Sequence, residues 1–306
     1  MKKALVTGAN GFIGTEVCIE LCKQGIEVIA VVRNETRNIS RINALPGLRI
    51  VYSDMTEYND LSRIVPDRDI DVMYHFAWEG CSGTARANSN VQIDNIRFSC
   101  TAIRACNEIG CRRFVFAASI MEYETEALMQ TDRTPSVNSH YGIAKMSADY
   151  MARTIAGELG ITYVRAVISN IYGPGENSPR LINTSIRKLL KGEYCQFSAG
   201  EQLYDFIYIT DAAKMFARLG EDGKNNKTYY IGNDPRPLKE YILKMQSIVA
   251  PDNEIGLGKL PFDGVSLSYS EFNRDAVYND TGIRPEVSFE EGIRKTMDWI
   301  KTESER

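Results

Sequence analysis

An α/β fold, a doubly wound parallel sheet with a smaller C-terminal substrate lobe, is what this sequence predicts. Three observations carry it. Short apolar runs alternate with helical patterns through the first half, a glycine-rich turn follows the first run, and after Asn170 turn signals multiply while the alternation loosens. Apolar strands alternating with helices imply parallel βαβ units whose sheet is covered on both faces.

The first strand is KALVT from Lys3, followed by the glycine turn and the helical pattern FIGTEVCIELCKQG. EVIAVV from Glu27, RIVYS from Arg49, DVMYHFAW from Asp71, RFVFAAS from Arg113 and TYVRAVI from Thr162 are the next five strands. Long helical patterns cover Asn90 to Gly110 and Ser139 to Gly160. Turn signals then cluster at YGPGENSP (Tyr172–Pro179) and GNDPRP (Gly232–Pro237), and DFIYI (Asp205–Ile209) reads as a buried strand expected to return to the sheet. The expected division is a dinucleotide-binding domain over residues 1–170, with 204–232 returning to it, and a substrate lobe over 171–203 and 233–306. Such a lobe would sit over the strand ends, where open α/β sheets bind ligands.

The chain has 306 residues and a net charge of -4, which argues against a nucleic-acid-binding surface. The lysines of MKKALVTGANGFIG are not followed by an unbroken apolar run, so it does not read as a signal peptide, and no uncharged run reaches membrane-spanning length. The seven cysteines include no CxxC pair, and there are only two histidines, so a metal site is not expected. Reduced thiols in a cytoplasmic protein fit this usage. Cys18 and Cys22, four apart on the first helix, read as packing.

TGANGFIG (Thr7–Gly14) places Gly8, Gly11 and Gly14 three apart between a strand and a helix. That pattern allows a tight turn, close backbone approach to a pyrophosphate, and close packing of helix on strand. The helix N-terminus then offers N–H groups and a favourable dipole to the phosphates. A Rossmann-like dinucleotide site follows. Strand two ends in VVRNETR, so Arg33, with Arg37 nearby, stands where an NAD-selecting site usually has an acid; an arginine there can pair with the 2′-phosphate of NADP. NADP is therefore expected, with NAD the alternative. Asp54 is placed to accept from the adenine amino group.

TGxxGxxG, HFAW ending strand four, FVFAAS ending strand five, Tyr141-x-x-x-Lys145, NIYGPG and DFIYITDAA occur in that order. Over essentially the whole chain this resembles the extended short-chain dehydrogenase/reductases, in particular the NAD-dependent epimerase/dehydratase family acting on nucleotide sugars. The resemblance implies an enzyme with Ser119, Tyr141 and Lys145 as catalytic residues. Tyr141 would exchange a proton with a sugar hydroxyl, its phenolate favoured by the Lys145 ammonium one turn away together with the positive nicotinamide. The cofactor would lie along Gly8, Gly11, Phe12, Ile13 and Gly14, then Met55, Phe76, Ala77, Ala117 and Ile168, with Tyr141 and Lys145 at its nicotinamide end. Trp78, Ser119, Glu122, Asn170 and Arg180 would face substrate. His75 reads as structural, His140 as loop, and Asn95 as support for the site.

The departures narrow the reaction. A 4,6-dehydratase of this family has an Asp-Glu acid–base pair directly after its Ser/Thr; here Ile120 and Met121 stand there. A 4-ketoreductase or a 4-epimerase fits the remaining Ser-Tyr-Lys set, and Arg33 favours the reductase. Alternatives are an unusual elimination using Glu122, a non-sugar carbonyl reductase, and a non-catalytic dinucleotide sensor. Glu122 itself reads first as a solvated carboxylate. Tyr204 replaces the arginine usual before DF, and Arg180 and Arg236 are candidates to compensate. Ile93, Ile96 and Ile103 on one long helix, with Ile143, Met146, Tyr150 and Met151 on the other, lie where family members pair helices, so a homodimer is expected.

Overall fold

The structure, a computed structural model, describes residues 1–33 and 38–304. Six strands of the N-terminal half form its centre: β1 (Lys3–Thr7), β2 (Glu27–Val32), β3 (Leu48–Tyr52), β4 (Val72–His75), β5 (Arg113–Ser119) and β6 (Thr162–Ile168). With Lys227–Ile231 they make one seven-stranded sheet in the order Lys227–Ile231, β6, β5, β4, β1, β2, β3. Every pairing in it is parallel.

Alternate residues of each strand enter opposite layers. Ala4, Val6, Val28, Ala30 and Val72 join the core on one face, while Leu5, Ile29, Val31 and Met73 join the other. Both faces are dry, which is why these strands read as near-continuous apolar runs. The helices Ser89–Ile109 and Ser139–Leu159 pack together on one face; α1 (Phe12–Lys23) and the helix Ile209–Asp222 pack on the other. The strand order reverses between β1 and β4, and the C-terminal ends of these two strands frame a crevice.

Three local expectations differ from the structure. Phe206–Tyr208, within DFIYI, pairs with β7 (Asn170–Tyr172) in a separate two-stranded sheet and does not return to the central one. The cause is Asp205, whose buried carboxylate accepts from the backbone N–H groups of Asn233 and Asp234, just past the last sheet strand. That anchor fixes the segment above the sheet end, and Lys227–Ile231 takes the place beside β6. Strand four is shorter than DVMYHFAW, because the chain leaves the sheet after His75. His140 is not in a loop: it lies in the first turn of the Ser139–Leu159 helix, where its Nδ1 meets the Ala87 carbonyl at 2.9 Å.

Candidate active site

A cleft of about 440 Å³ opens at the crevice. Gly8, Gly11, Phe12, Ile13 and Gly14 form one wall, and Arg33 stands at its far end after β2. Met55, Phe76, Ala77, Ala117 and Ile168 follow from the other strand ends, and Ser119, Tyr141 and Lys145 close it. Gly8 has φ +65°, and a Cβ there would stand 2.7 Å from the Ala77 amide nitrogen. A Cβ at Gly14 would collide with the Gly8 carbonyl. Gly11 caps α1 without a side chain to occupy the helix's first N–H groups, so those groups are available to an anion in the cleft. The backbone cradle and its length of wall fit a dinucleotide.

Asp54 does not line the cleft. Its carboxylate accepts from Thr56 N and Thr56 Oγ1 at 3.1 and 3.0 Å and caps the turn that follows β3, while its neighbours Ser53 and Met55 face the cleft. Arg33 is exposed, and Arg37 lies outside the described residues.

Ser119, Tyr141 and Lys145 come from β5 and the Ser139–Leu159 helix, and each is more than nine-tenths buried. Glycine at 142 lets this helix lie against its neighbour: a Cβ there would strike the Thr125 hydroxyl. The Lys145 ammonium donates to the Ala117 carbonyl at 2.9 Å and lies 3.7 Å from the Trp78 ring centre, against 6.0 Å from that of Tyr141. Burial lowers its pKa to about 8, with the carboxylates Glu122 and Asp149 among the groups that oppose the shift. Burial raises the pKa of Tyr141, while Arg180, Arg86 and a hydrogen bond with Ser119 act the other way. In the protein alone, desolvation therefore outweighs these cations and pushes the phenol's pKa up.

Glu122 is neither solvated nor in a cavity wall. It is fully buried, its Oε1 accepts from Ser119 N at 2.8 Å, and its Oε2 lies 2.6 Å from Arg165. Arg165 also meets Asp149 at 2.8 Å, and Asp149 accepts from Tyr163 Oη at 2.8 Å. The helix Ile120–Met129 makes this possible: Ser119 is its N-cap, and Glu122 closes a capping box. Trp78 lines the cofactor cleft beside Lys145. Asn170 faces an adjoining cavity of about 310 Å³, and Arg180 lines both that cavity and the cleft. Tyr204 also lines the adjoining cavity; Arg236 lines neither, being paired with Asp234. His75 is buried between Thr7 and Ser99, its pKa lowered to about 3 by burial. Asn95 bonds both the N–H and the carbonyl of Glu79.

A third cavity, of about 760 Å³, is lined by residues 121–139 together with residues from 179 to 265. Two residues there were missed in the sequence. Arg86 places its guanidinium 4.3 Å from the Tyr141 ring centre and lines both outer cavities. Glu124 sits in the wall with Met121, Thr125 and Leu128, and burial raises its pKa to about 7. The helical spacing of those four residues is the signal that could have found Glu124. Arg86 has no such signal. Among the described residues there is no cluster of three or more metal-ligating side chains, and no helix is long and apolar enough to cross a membrane.

Comparison with known proteins places these features in a family. The model of the NAD dependent epimerase/dehydratase family matches residues 4–232. The trifunctional UDP-glucose 4,6-dehydratase/UDP-4-keto-6-deoxy-D-glucose 3,5-epimerase/UDP-4-keto-L-rhamnose-reductase of Arabidopsis thaliana is 24% identical over 97% of this chain; the chain spans 47% of that protein's length. Among solved structures, the Bordetella bronchiseptica enzyme WbmF in complex with NADH superposes with a TM-score of 0.82 at 20% identity, covering 99% of this chain and 93% of that one. The UDP-glucose 4-epimerase of Thermotoga maritima with UDP-glucose gives 0.78 at 20% identity, covering 99% of both chains.

Proposed function

We propose, from the premise that this chain belongs to the NAD dependent epimerase/dehydratase family, that it performs redox chemistry at C4 of a nucleotide-linked sugar, as a 4-ketoreductase. The single observation that carries this is the convergence of Ser119, Tyr141 and Lys145 at one end of a dinucleotide-shaped cleft. A nicotinamide cofactor held along the glycine turn would supply or accept the hydride. Tyr141 handles the proton: its buried, protonated phenol is the form that donates to an oxygen becoming a hydroxyl. Ser119 shares that oxygen by hydrogen bonding, and Lys145 fixes the floor of the site through the Ala117 carbonyl.

Two features support reduction. Ile120 and Met121 offer no proton-transfer group where a dehydratase would need one. Arg33, exposed at the far end of the cleft, suits the 2′-phosphate of NADP, with NAD as the alternative. A 4-epimerase is the second reading, because the same three residues serve oxidation followed by return of hydride to the other face. Asn170 and Arg180 are the residues proposed to face the diphosphate side of the substrate. The protein is further proposed to be a homodimer: Ile93, Tyr150 and Met151 are each about half exposed on the two long helices that cover one face of the sheet.

Incubation with NADPH or NADH and a panel of nucleotide sugars and 4-keto-6-deoxy sugars tests the reading. Stoichiometric NADPH consumption that vanishes in Tyr141→Phe is expected. Sugar interconversion without net cofactor change would replace the reductase by the epimerase. In Arg33→Asp the preference for NADPH over NADH should fall by about tenfold to a hundredfold, one to two charge-assisted hydrogen bonds; an unchanged ratio removes Arg33 from cofactor selection.

A further inference from the structure

Residues 78–87 lie over the Tyr141–Lys145 pair and are tied in place by the helix that follows them. Gln92 accepts from the Trp78 indole N–H at 3.0 Å and donates to the carbonyls of Gly80 and Ala85 at 3.0 and 3.2 Å. Asn95 holds Glu79 by both its N–H and its carbonyl, and His140 meets the Ala87 carbonyl from the tyrosine's own helix. Gln92 and Asn95 are buried, so this lacing is shielded from water. It delivers two side chains in crossed pairing: the Trp78 ring lies against the Lys145 ammonium, and the Arg86 guanidinium lies against the Tyr141 ring.

The Arg86 guanidinium forms no ion pair with a carboxylate among the described residues and donates to the Cys81 carbonyl at 3.2 Å; Glu124, in the same cavity wall, is the carboxyl group that feels its charge. Lys145, by contrast, is engaged by Ala117 and Trp78. We propose that Arg86 is a positioning residue for the reaction, a cation on the ring face that, together with Arg180, stabilises Tyr141 once its phenol has given up its proton. This rests on the reading of Tyr141 as the proton donor. In that step the phenol O–H bond breaks, its proton goes to the substrate oxygen, and the negative charge left on Tyr141 is the charge Arg86 faces. The other groups around the ring are the Cys81 thiol of the same loop, Arg180 of the C-terminal lobe, the Ser119 hydroxyl of β5 and Lys145 of its own helix. Among the described residues Arg86 is the cation nearest the ring face, 4.3 Å from its centre against 6.0 Å for Lys145.

The test needs no turnover, so it stands or falls apart from the ketoreductase reading. Protein labelled with 3-fluorotyrosine is titrated by ¹⁹F NMR, with the Tyr141 resonance assigned by its loss in Tyr141→Phe. In Arg86→Met the Tyr141 midpoint should rise by about one pH unit, the scale of one lost neighbouring charge, and Arg86→Lys should restore most of it. Arg86→Gln repeats the measurement with a polar side chain should the methionine disturb the loop. A midpoint unmoved in both Met and Gln variants, or one already beyond the titratable range in the unsubstituted protein, overturns the proposal. So does a shift that Arg86→Lys fails to reverse, because that would trace it to loop shape and not to charge.

Discussion

The glycine-lined cleft and the outer cavity are built by opposite means. One wall of the cleft is backbone: glycines, and the ends of strands whose positions the sheet register fixes. The outer cavity, nearly twice as large, is walled by side chains from distant places, among them Glu124, Lys188, Phe197 and Phe262. A backbone site tolerates few sequences and many ligand tails; a side-chain site is the reverse. The difference teaches which of the two cavities single substitutions can reshape without moving the backbone.

The largest effect should fall where the two regions meet. Tyr141→Phe keeps the ring and removes the proton, and turnover should drop by about 10²–10⁴-fold while nicotinamide cofactor binding, followed by fluorescence, persists. Loss of cofactor binding as well would mean that the phenol belongs to the cleft and not to the chemistry.

Next comes the ion network beneath both. Arg165→Met strands Glu122 and Asp149 as buried carboxylates and should cost about 3–5 kcal/mol in urea unfolding. A loss near zero would show that water or protonation already relieves the pair. Gly14→Ala then tests the backbone wall. Its Cβ has no room against the Gly8 carbonyl, and about 1–3 kcal/mol of overpacking is expected. Ser136→Ala, on the outer wall, should stay within about 0.5 kcal/mol. Equal costs would erase the contrast.

The smallest effect is a pH dependence. Burial raises Glu124 from 4.5 to about 7, so the folded chain holds this proton more tightly than the unfolded one. Its contribution favours the fold fully below about 4.5 and is lost as pH rises through about 7. Relative to Glu124→Gln, the natural protein should therefore lose stability across that window in pH-dependent denaturation. Parallel curves would place Glu124 in solvent.

The contrast also explains what was legible in advance. The turn from Gly8 to Gly14 and the Tyr141–Lys145 spacing are local, and local chemistry is written in adjacent letters. What spacing did not reveal at Asp54 is that its carboxylate also caps its own turn through Thr56. Glu122 was read as solvated because its partner Arg165 lies on another strand, 43 positions away. DFIYI was given to the wrong sheet because strand pairing there is decided by Asp205 and the turn at Asn233, not by the strand's own hydrophobicity. Arg86 belongs to no recurring pattern; only the loop's lacing to Gln92 and Asn95 puts it on Tyr141.

The last sheet strand has a consequence for how this chain is made. β6 pairs on its outer side only with Lys227–Ile231, and β7 and the helix Leu181–Leu190 intervene in the chain. At roughly 5–20 residues per second of synthesis, the ribosome exposes the edge of β6 for seconds before its cover emerges. During that interval a chain that already holds its glycine turn, Tyr141 and Lys145 carries an unpaired strand edge, a template on which another strand can pair.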